Sequence, residues 1–321
     1  MKKFKNIFFI IALGSLLFFS VHCVYNESEP SFNPVSYDTF DDTYSVLVSS
    51  GKSGSVKKLI SSRNKERERT LQLYLLQRKI ENYLGSKIKK IGLVYYDFST
   101  KETIEINGDK VFFAASTIKV PVNMVYYNMA AEKKINLSQK LSYSKADYED
   151  GTGILKNLKK INPIEIQTLL DYSIIYSDNI AVNMLIRNIG HDNIKLHFNK
   201  IIGDIKEHKL NDTTPKEMMK YLQFLFTNPD KNLYYEHLID VMKQTSFHDR
   251  LDKYIPEMLT AHKIGNYCKI IKGKGYDYVN DIGIIYTDKP YAITVYTENM
   301  NNANEVIAEI SKMVYDYQIK K

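Results

Sequence analysis

Ser116 and Lys119 stand three residues apart in the segment FFAASTIKVPVNMVYYNM. At that spacing on a helix two side chains share a face, so an amine can reach a hydroxyl. A serine hydroxyl is a weak nucleophile near neutral pH and needs a neighbouring base; a lysine partly desolvated in a cleft can supply one. Pro121 is tolerated only near a helix start, where its missing N–H would be unpaired in any case. Ser116 is therefore expected in the first turn of a helix running to about Lys133. There, free backbone N–H groups and the helix dipole can stabilise an oxyanion. The spacing by itself says little, because Ser-x-x-Lys begins at Ser49, Ser55, Ser62, Ser86, Ser116 and Ser142. Only Ser116 has small apolar residues before it and a long apolar helix after it.

Two other short segments carry polar groups in apolar surroundings. Ser177 and Asn179 belong to Tyr-Ser-Asp-Asn (Tyr176–Asn179), inside the apolar run LLDYSIIYSDNIAVNML. Taken alone, Ser-Asp-Asn is most simply a capped helix end. Lys263 and Gly265 lie in Ala-His-Lys-Ile-Gly, which taken alone reads as a solvated turn.

These groups need elements to hold them. Leu71, Leu75, Leu76 and Ile80 recur at helical spacing before a stop at Gly85. Ile91–Phe98 and Thr103–Ile106 read as strands joined by a polar turn. A mostly helical pattern runs from Pro163 to about Phe226. Asp281–Asp288 and Pro290–Thr297 read as strands again, and a last helix is expected from about Asn304 to Tyr317. Strands near both ends with helices between them predict an α+β fold. One antiparallel sheet is built from both termini and flanked by helices, with an all-helical subdomain inserted.

Composition limits what this fold can be doing. The chain has 321 residues, 44% hydrophobic and 25% charged, which is globular and excludes a mostly disordered or disulfide-dense protein. Of the net charge of +7, Lys2, Lys3 and Lys5 supply three, and the scattered remainder gives no basic patch for nucleic acid. The two cysteines, Cys23 and Cys268, form no metal-ligand cluster, so no structural zinc is expected. Cys268 is expected to be a buried thiol, His262 a strand-edge residue without a role, and Met124, Met129, Met218 and Met219 core packing.

Lys2, Lys3 and Lys5 precede the uncharged apolar stretch Ile7–Val21. That pattern reads residues 1–23 as a signal peptide or short membrane anchor and places the rest outside the cytoplasm. Lipidation at Cys23 is disfavoured by the bulky His22 before it. Residues 24–55, rich in Ser, Asp, Glu, Asn and Pro, read as a flexible tether, and 56–321 as the catalytic domain. Nothing requires more than a monomer.

In chain order, Ser-x-x-Lys, Ser-Asp-Asn and Lys-Thr-Gly form the signature of class A β-lactamases and penicillin-binding proteins. The sequence resembles the class A β-lactamase-like serine hydrolases. The resemblance runs from about Leu71 to Tyr317. It takes in KVFFAASTIKVPV, YEDGTGILKNL, IIYSDNIAVNMLI, NDTTPKEM (Asn211–Met218) and NDIGIIYT. It implies that Ser116 is the nucleophile and Lys119 its activating partner, with the amine in reach of the Ser116 hydroxyl. Ser177 would shuttle a proton to the leaving nitrogen, close to both Lys119 and Lys263. Asn179 would bind the substrate amide, and Lys263 would face the substrate carboxylate. Gly265 would let the strand edge approach the substrate. The N–H groups of Asn266 and Ser116 would form the oxyanion hole. No metal or cofactor is implied, since a lysine and backbone N–H groups suffice.

Two departures bear on function. Ile264 stands where the family has a hydroxyl, which removes a hydrogen bond worth roughly 1–3 kcal/mol to carboxylate recognition. Glu207 and Asn211 have the Glu-x-x-x-Asn form of the deacylation loop but run straight into Asp212–Pro215. Anchored on Glu207 and Asn211, the chain keeps the base that activates the hydrolytic water. Anchored on Asp212–Pro215, which is favoured, the base is deleted and Glu207 sits at an exposed helix end, too far from Ser116 to share a water. Three functions stay open: an exported hydrolase acylated on Ser116 by β-lactams or related amides and hydrolysing them; a penicillin-binding or D,D-peptidase-like protein acting on peptidoglycan-like peptides; and a catalytically idle binding module tethered to the envelope.

Overall fold

A computed structural model describes residues 53–203, 211–271 and 274–321. The chain divides into two compact units, residues 1–65 and 66–321. The leader, residues 1–23, lies outside the described residues, and so does Glu207. The first described helix begins at Ser53, so helical structure starts slightly before the expected end of the tether at residue 55.

The element order is α1 (Ser53–Leu84), β1 (Ile91–Asp97), β2 (Thr103–Ile106) and the short β3 (Phe112–Phe113), then α2 (Lys119–Ala131), β4 (Lys140–Leu141) and β5 (Ile164–Glu165). Next come α3 (Ile166–Ile175), α4 (Asn179–Ile189), α5 (His191–Ile202), β6 (Asp212–Thr213), α6 (Pro215–Thr227) and α7 (Tyr235–Lys243). β7 (Thr260–Ile271), β8 (Lys274–Ile285), β9 (Tyr291–Glu298) and α8 (Ala303–Gln318) complete the order.

The main sheet has the order β2-β1-β9-β8-β7, antiparallel at every pairing. Early and late strands thus share one sheet, as expected, with β1 beside β9 through pairs such as Leu93 with Val295. Side chains alternate between the faces of a strand. On β9, Ala292 and Tyr296 join the core under the helical block, whereas Tyr291, Ile293 and Val295 join the core lined by Ile80, Ile307 and Val314. Both faces are covered, which is why the strand reads as a nearly continuous apolar run.

Several local expectations are corrected. On α1 the buried stripe is Leu76, Ile80 and Leu84, while Leu71 and Leu75 are about half exposed, at 49% and 48%. The i, i+4, i+8 row faces the sheet, and the other leucines lie off that row. The helix expected at Ser116 begins at Lys119, preceded by a tighter 3₁₀ turn over Ala115–Ile118. β8 starts at Lys274 rather than Asp281, because β7 and β8 extend as a polar hairpin that has no apolar signature. Cys268 lies on that hairpin and is exposed, not buried.

Candidate active site

The Ser116 turn is built by its neighbours. Ala115 has φ +50°, a left-handed backbone that a residue with a Cβ seldom adopts. The Thr117 hydroxyl donates to the Ala114 carbonyl at 2.7 Å, and Asn280 Nδ2 donates to the carbonyls of Phe113 and Ala114 at 2.9 and 3.2 Å. The Ala114 N–H donates to the Asn211 carbonyl at 2.7 Å. β7, at the sheet edge, closes against this turn at Gly265, where a Cβ would lie 2.8 Å from the Ala114 oxygen. A side chain there would force strand and turn apart, so glycine sets how close Ser116 comes to the strand carrying Lys263 and Asn266.

Ser177 sits in the turn between α3 and α4, also left-handed at φ +53°. Asp178 caps α4, with Oδ1 accepting from Ala181 N–H at 2.9 Å, while Oδ2 accepts from Ile154 and Leu155 N–H at 2.7 and 2.8 Å. Gly153, at φ +121°, packs so tightly on Asp178 that a Cβ would lie 2.5 Å from Asp178 Cγ. Thr152 Oγ1 donates to the Ser177 carbonyl at 2.7 Å, and Asn179 Nδ2 to the Asp150 carbonyl at 2.9 Å. The Asp150–Leu155 stretch thus clamps the Ser177 turn from outside, which ties together two segments the sequence offered separately.

Three distant segments meet at Ser177. Lys119 Nζ donates to the Ser177 carbonyl at 2.7 Å and to Asn179 Oδ1 at 2.8 Å, and lies 3.4 Å from Ser177 Oγ. Lys263 Nζ donates to Ser177 Oγ at 2.9 Å and to its neighbour Ile264 O at 3.1 Å. Both lysines are buried. Burial drives the Lys119 amine down to about 7, with Asp178 and Glu149 pulling the other way. Burial also pushes Lys263 well below its ordinary value, and the neighbouring Lys119 charge adds to the effect. The expected contact between the Lys119 amine and the Ser116 hydroxyl is absent: among the described residues the three donors of Lys119 go to Ser177 and Asn179. A carbonyl and an amide oxygen are better acceptors for an ammonium than a hydroxyl, so the charged form turns toward them.

The model of the β-lactamase enzyme family matches residues 75–318. The chain belongs to that family. β-Lactamase VEB-1 of Pseudomonas aeruginosa is 25% identical over 271 residues, covering 76% of this chain and 90% of VEB-1. Among solved structures, the TLA-3 extended-spectrum β-lactamase superposes with a TM-score of 0.69 at 24% identity, over 76% of this chain and 98% of that one. PBP-A superposes with a TM-score of 0.66 at 22% identity, over 77% and 96%; a variant of PBP-A has been solved as an acyl-enzyme complex with penicillin G. The fold is that of β-lactamases and penicillin-binding proteins, and the protein is a serine β-lactamase-like hydrolase.

In this family member two buried groups escape sequence reasoning. Arg250 is 1% exposed and donates to the Asn280 carbonyl at 2.9 Å and to Asn266 Oδ1 at 2.6 Å, bracing β7 beside Gly265. Its partners are mostly carbonyls and amides, so no charge pattern announces it. His262, expected at the strand edge without a role, is fully buried between Asp281 and Asp252. Burial opposes its charge, but the two carboxylates outweigh that and raise its imidazole to about 10. His248, Asp252 and His262 form the group that could hold a metal ion among the described residues.

Proposed function

We propose that the protein is an extracytoplasmic hydrolase that β-lactams acylate on Ser116, with Lys119, Ser177, Asn179, Lys263, Gly265 and Asn266 as the site. The observation that carries this reading is the Ser177 hydroxyl set between two buried lysines, 2.9 Å from Lys263 and 3.4 Å from Lys119. A lysine near 7 is a usable base at neutral pH, whereas an ordinary lysine is not. Neutral Lys119 takes the Ser116 proton as Oγ attacks the lactam carbonyl. The C–O bond forms, the N–H groups of Ser116 and Asn266 hold the oxyanion, and the proton passes through Ser177 to the lactam nitrogen as the C–N bond breaks. A substrate carboxylate beside Lys263 restores the positive charge that burial disfavours. The basic, then apolar, N-terminus supports export.

Incubation with a fluorescent penicillin followed by intact-mass analysis tests the reading. One adduct should form on the protein and none on Ser116→Ala. An adduct that persists in that variant, or a protein that neither carries an adduct nor hydrolyses the penicillin, overturns it. The buried, base-capable Lys119 also argues against an idle binding module.

Turnover is the finer question. Among the described residues Asn211 Oδ1 is buried without a hydrogen-bond partner, and its backbone is tied to Ala114, two residues from Ser116. A buried acceptor at that place suits a held water, which supports the anchoring on Glu207 and Asn211 over the one on Asp212–Pro215. Nitrocefin should then turn over in a steady state, and Glu207→Gln should trap the acyl-enzyme. If wild type and variant both stop after one turnover, deacylation is absent and the penicillin-binding reading replaces hydrolysis.

A further inference from the structure

We infer that His248, Asp252 and His262 form a binding site for a divalent transition-metal ion of the Zn²⁺ type, on the face of β7 opposite Lys263. The chain places one ligand on the strand and two just before it, without cysteine, so no spacing in the sequence marks the site.

His262 follows Ala261 and precedes Lys263 on β7, and strand alternation sends its ring to the far side of the sheet from the cleft. The ring fits there because Gly283 pairs opposite it; a Cβ on Gly283 would lie 2.8 Å from His262 Cβ. Asp281 takes His262 Nδ1 at 2.9 Å, which fixes the ring and directs Nε2 away from Asp281. A carboxylate on one ring nitrogen with the other nitrogen free is the arrangement that orients metal-ligating histidines and raises their basicity.

The free nitrogen points at a defined place. His262 is fully buried, and among the described residues its Nε2 makes no well-aligned hydrogen bond, although Asp252 Oδ2 lies 3.2 Å away. Asp252 Oδ1 is likewise buried and unpartnered. Among the described residues Asp252 Oδ1 thus has no partner, and His262 Nε2 faces only the other oxygen of Asp252 without a well-aligned hydrogen bond, which is uncommon because an unmade bond at a buried group costs about 1–3 kcal/mol. His248 Nδ1 completes the group 2.5 Å from Asp252 Oδ2, and one ligand atom from each residue lies within 4.8 Å of the others.

The separations suit a small ion. Ligands at about 2.0–2.2 Å in a tetrahedron stand a little over 3 Å apart, as His262 Nε2 and Asp252 Oδ2 already do. The His248 contact is too short for that geometry and must open, which its side chain can do because it is 39% exposed. The same exposure gives an entry path and leaves a coordination position for water. Two imidazoles and one carboxylate select Zn²⁺, Ni²⁺ or Cu²⁺ over Ca²⁺ and Mg²⁺, which prefer oxygen ligands throughout.

The test uses the full chain, stripped with chelator and titrated with Zn²⁺ alone by calorimetry, with Co²⁺ as a spectroscopic substitute. One equivalent of Zn²⁺ should bind and raise Tm, and Co²⁺ should give visible bands of a low-coordinate site. His248→Ala, a half-exposed change that leaves the buried pair in place, should weaken binding at least about tenfold and remove the bands. His237→Ala, on α7 beside Asp171, should change neither. No binding at hundredfold excess metal, or equal binding by wild type and His248→Ala, overturns the assignment.

Discussion

Lys263 Nζ lies 2.9 Å from Ser177 Oγ, although the two residues are 86 positions apart in the chain. The contact joins the edge strand of the sheet to a turn of the helical block. It also places a hydroxyl between two amines that burial keeps from both being comfortably charged. The proposed role of Ser177 as a proton carrier rather than a spacer can be measured.

Ser177→Gly should lower the rate of penicillin acylation by about 10²–10⁴ while leaving Tm unchanged or higher. Glycine takes φ +53° without strain, which returns about 1 kcal/mol to the fold. Stopped-flow labelling with thermal unfolding on one preparation separates the two effects. An acylation rate within threefold of wild type would remove Ser177 from the relay.

The pH dependence follows from Lys119. Its amine is lowered to about 7 in the folded protein, so below that pH it is protonated and cannot accept the Ser116 proton. Acylation should rise about tenfold per pH unit up to pH 7 and level off above it. The stability effect has the same sign. Between about 7 and 10.5 the unfolded chain binds the extra proton, so Lys119 adds to stability as pH rises through that window. Lys119→Met should abolish acylation and flatten this part of the Tm profile.

Gly265→Ala should separate the Ser116 turn from β7. The added Cβ meets the Ala114 carbonyl at 2.8 Å, and backbone on both sides must shift. A loss of about 1–3 kcal/mol in denaturant unfolding is expected, with slower acylation. Gly153→Ala should cost more, since it combines φ +121° with a 2.5 Å approach to Asp178 Cγ. Unchanged stability in Gly153→Ala would contradict the clamp on the Ser177 turn.

Asp97 predicts acid sensitivity away from the site. Burial raises its carboxyl, but hydrogen bonds from Lys321, Gln318 and the Thr100 N–H outweigh this and hold it below the usual range. Lys321 Nζ reaches Asp97 Oδ2 at 2.8 Å. The stability this adds is fully present above about pH 4 and lost as pH falls below that, because the group is depressed. Lys321→Ala should cost about 1–3 kcal/mol at neutral pH and show a shallower loss of Tm below pH 4.

Part of this protein is written locally. The Ser116–Lys119 spacing, the Asp178 cap before α4, the Thr214–Pro215 start of α6 and the apolar run of β9 depend on residues within a few positions of one another, and each is legible as a pattern. The order of strands and helices then suffices for the antiparallel sheet with an inserted helical block. Other features depend on partners far away in the chain. Lys119 turns to Ser177 and Asn179 because their oxygens, some 60 residues on, outcompete the nearby Ser116 hydroxyl. Leu76 is buried and Leu75 is not because only one row of α1 meets the sheet. Cys268 is exposed because its hairpin extends past the covered part of β7. Arg250 and His262 are charged groups that only the assembled sheet can bury, since the carbonyls and carboxylates that hold them come from β7, β8 and the segment between α7 and β7. Sequence patterns report what neighbours along the chain require of each other; burial and pairing across the fold are fixed by which distant groups arrive at the same place.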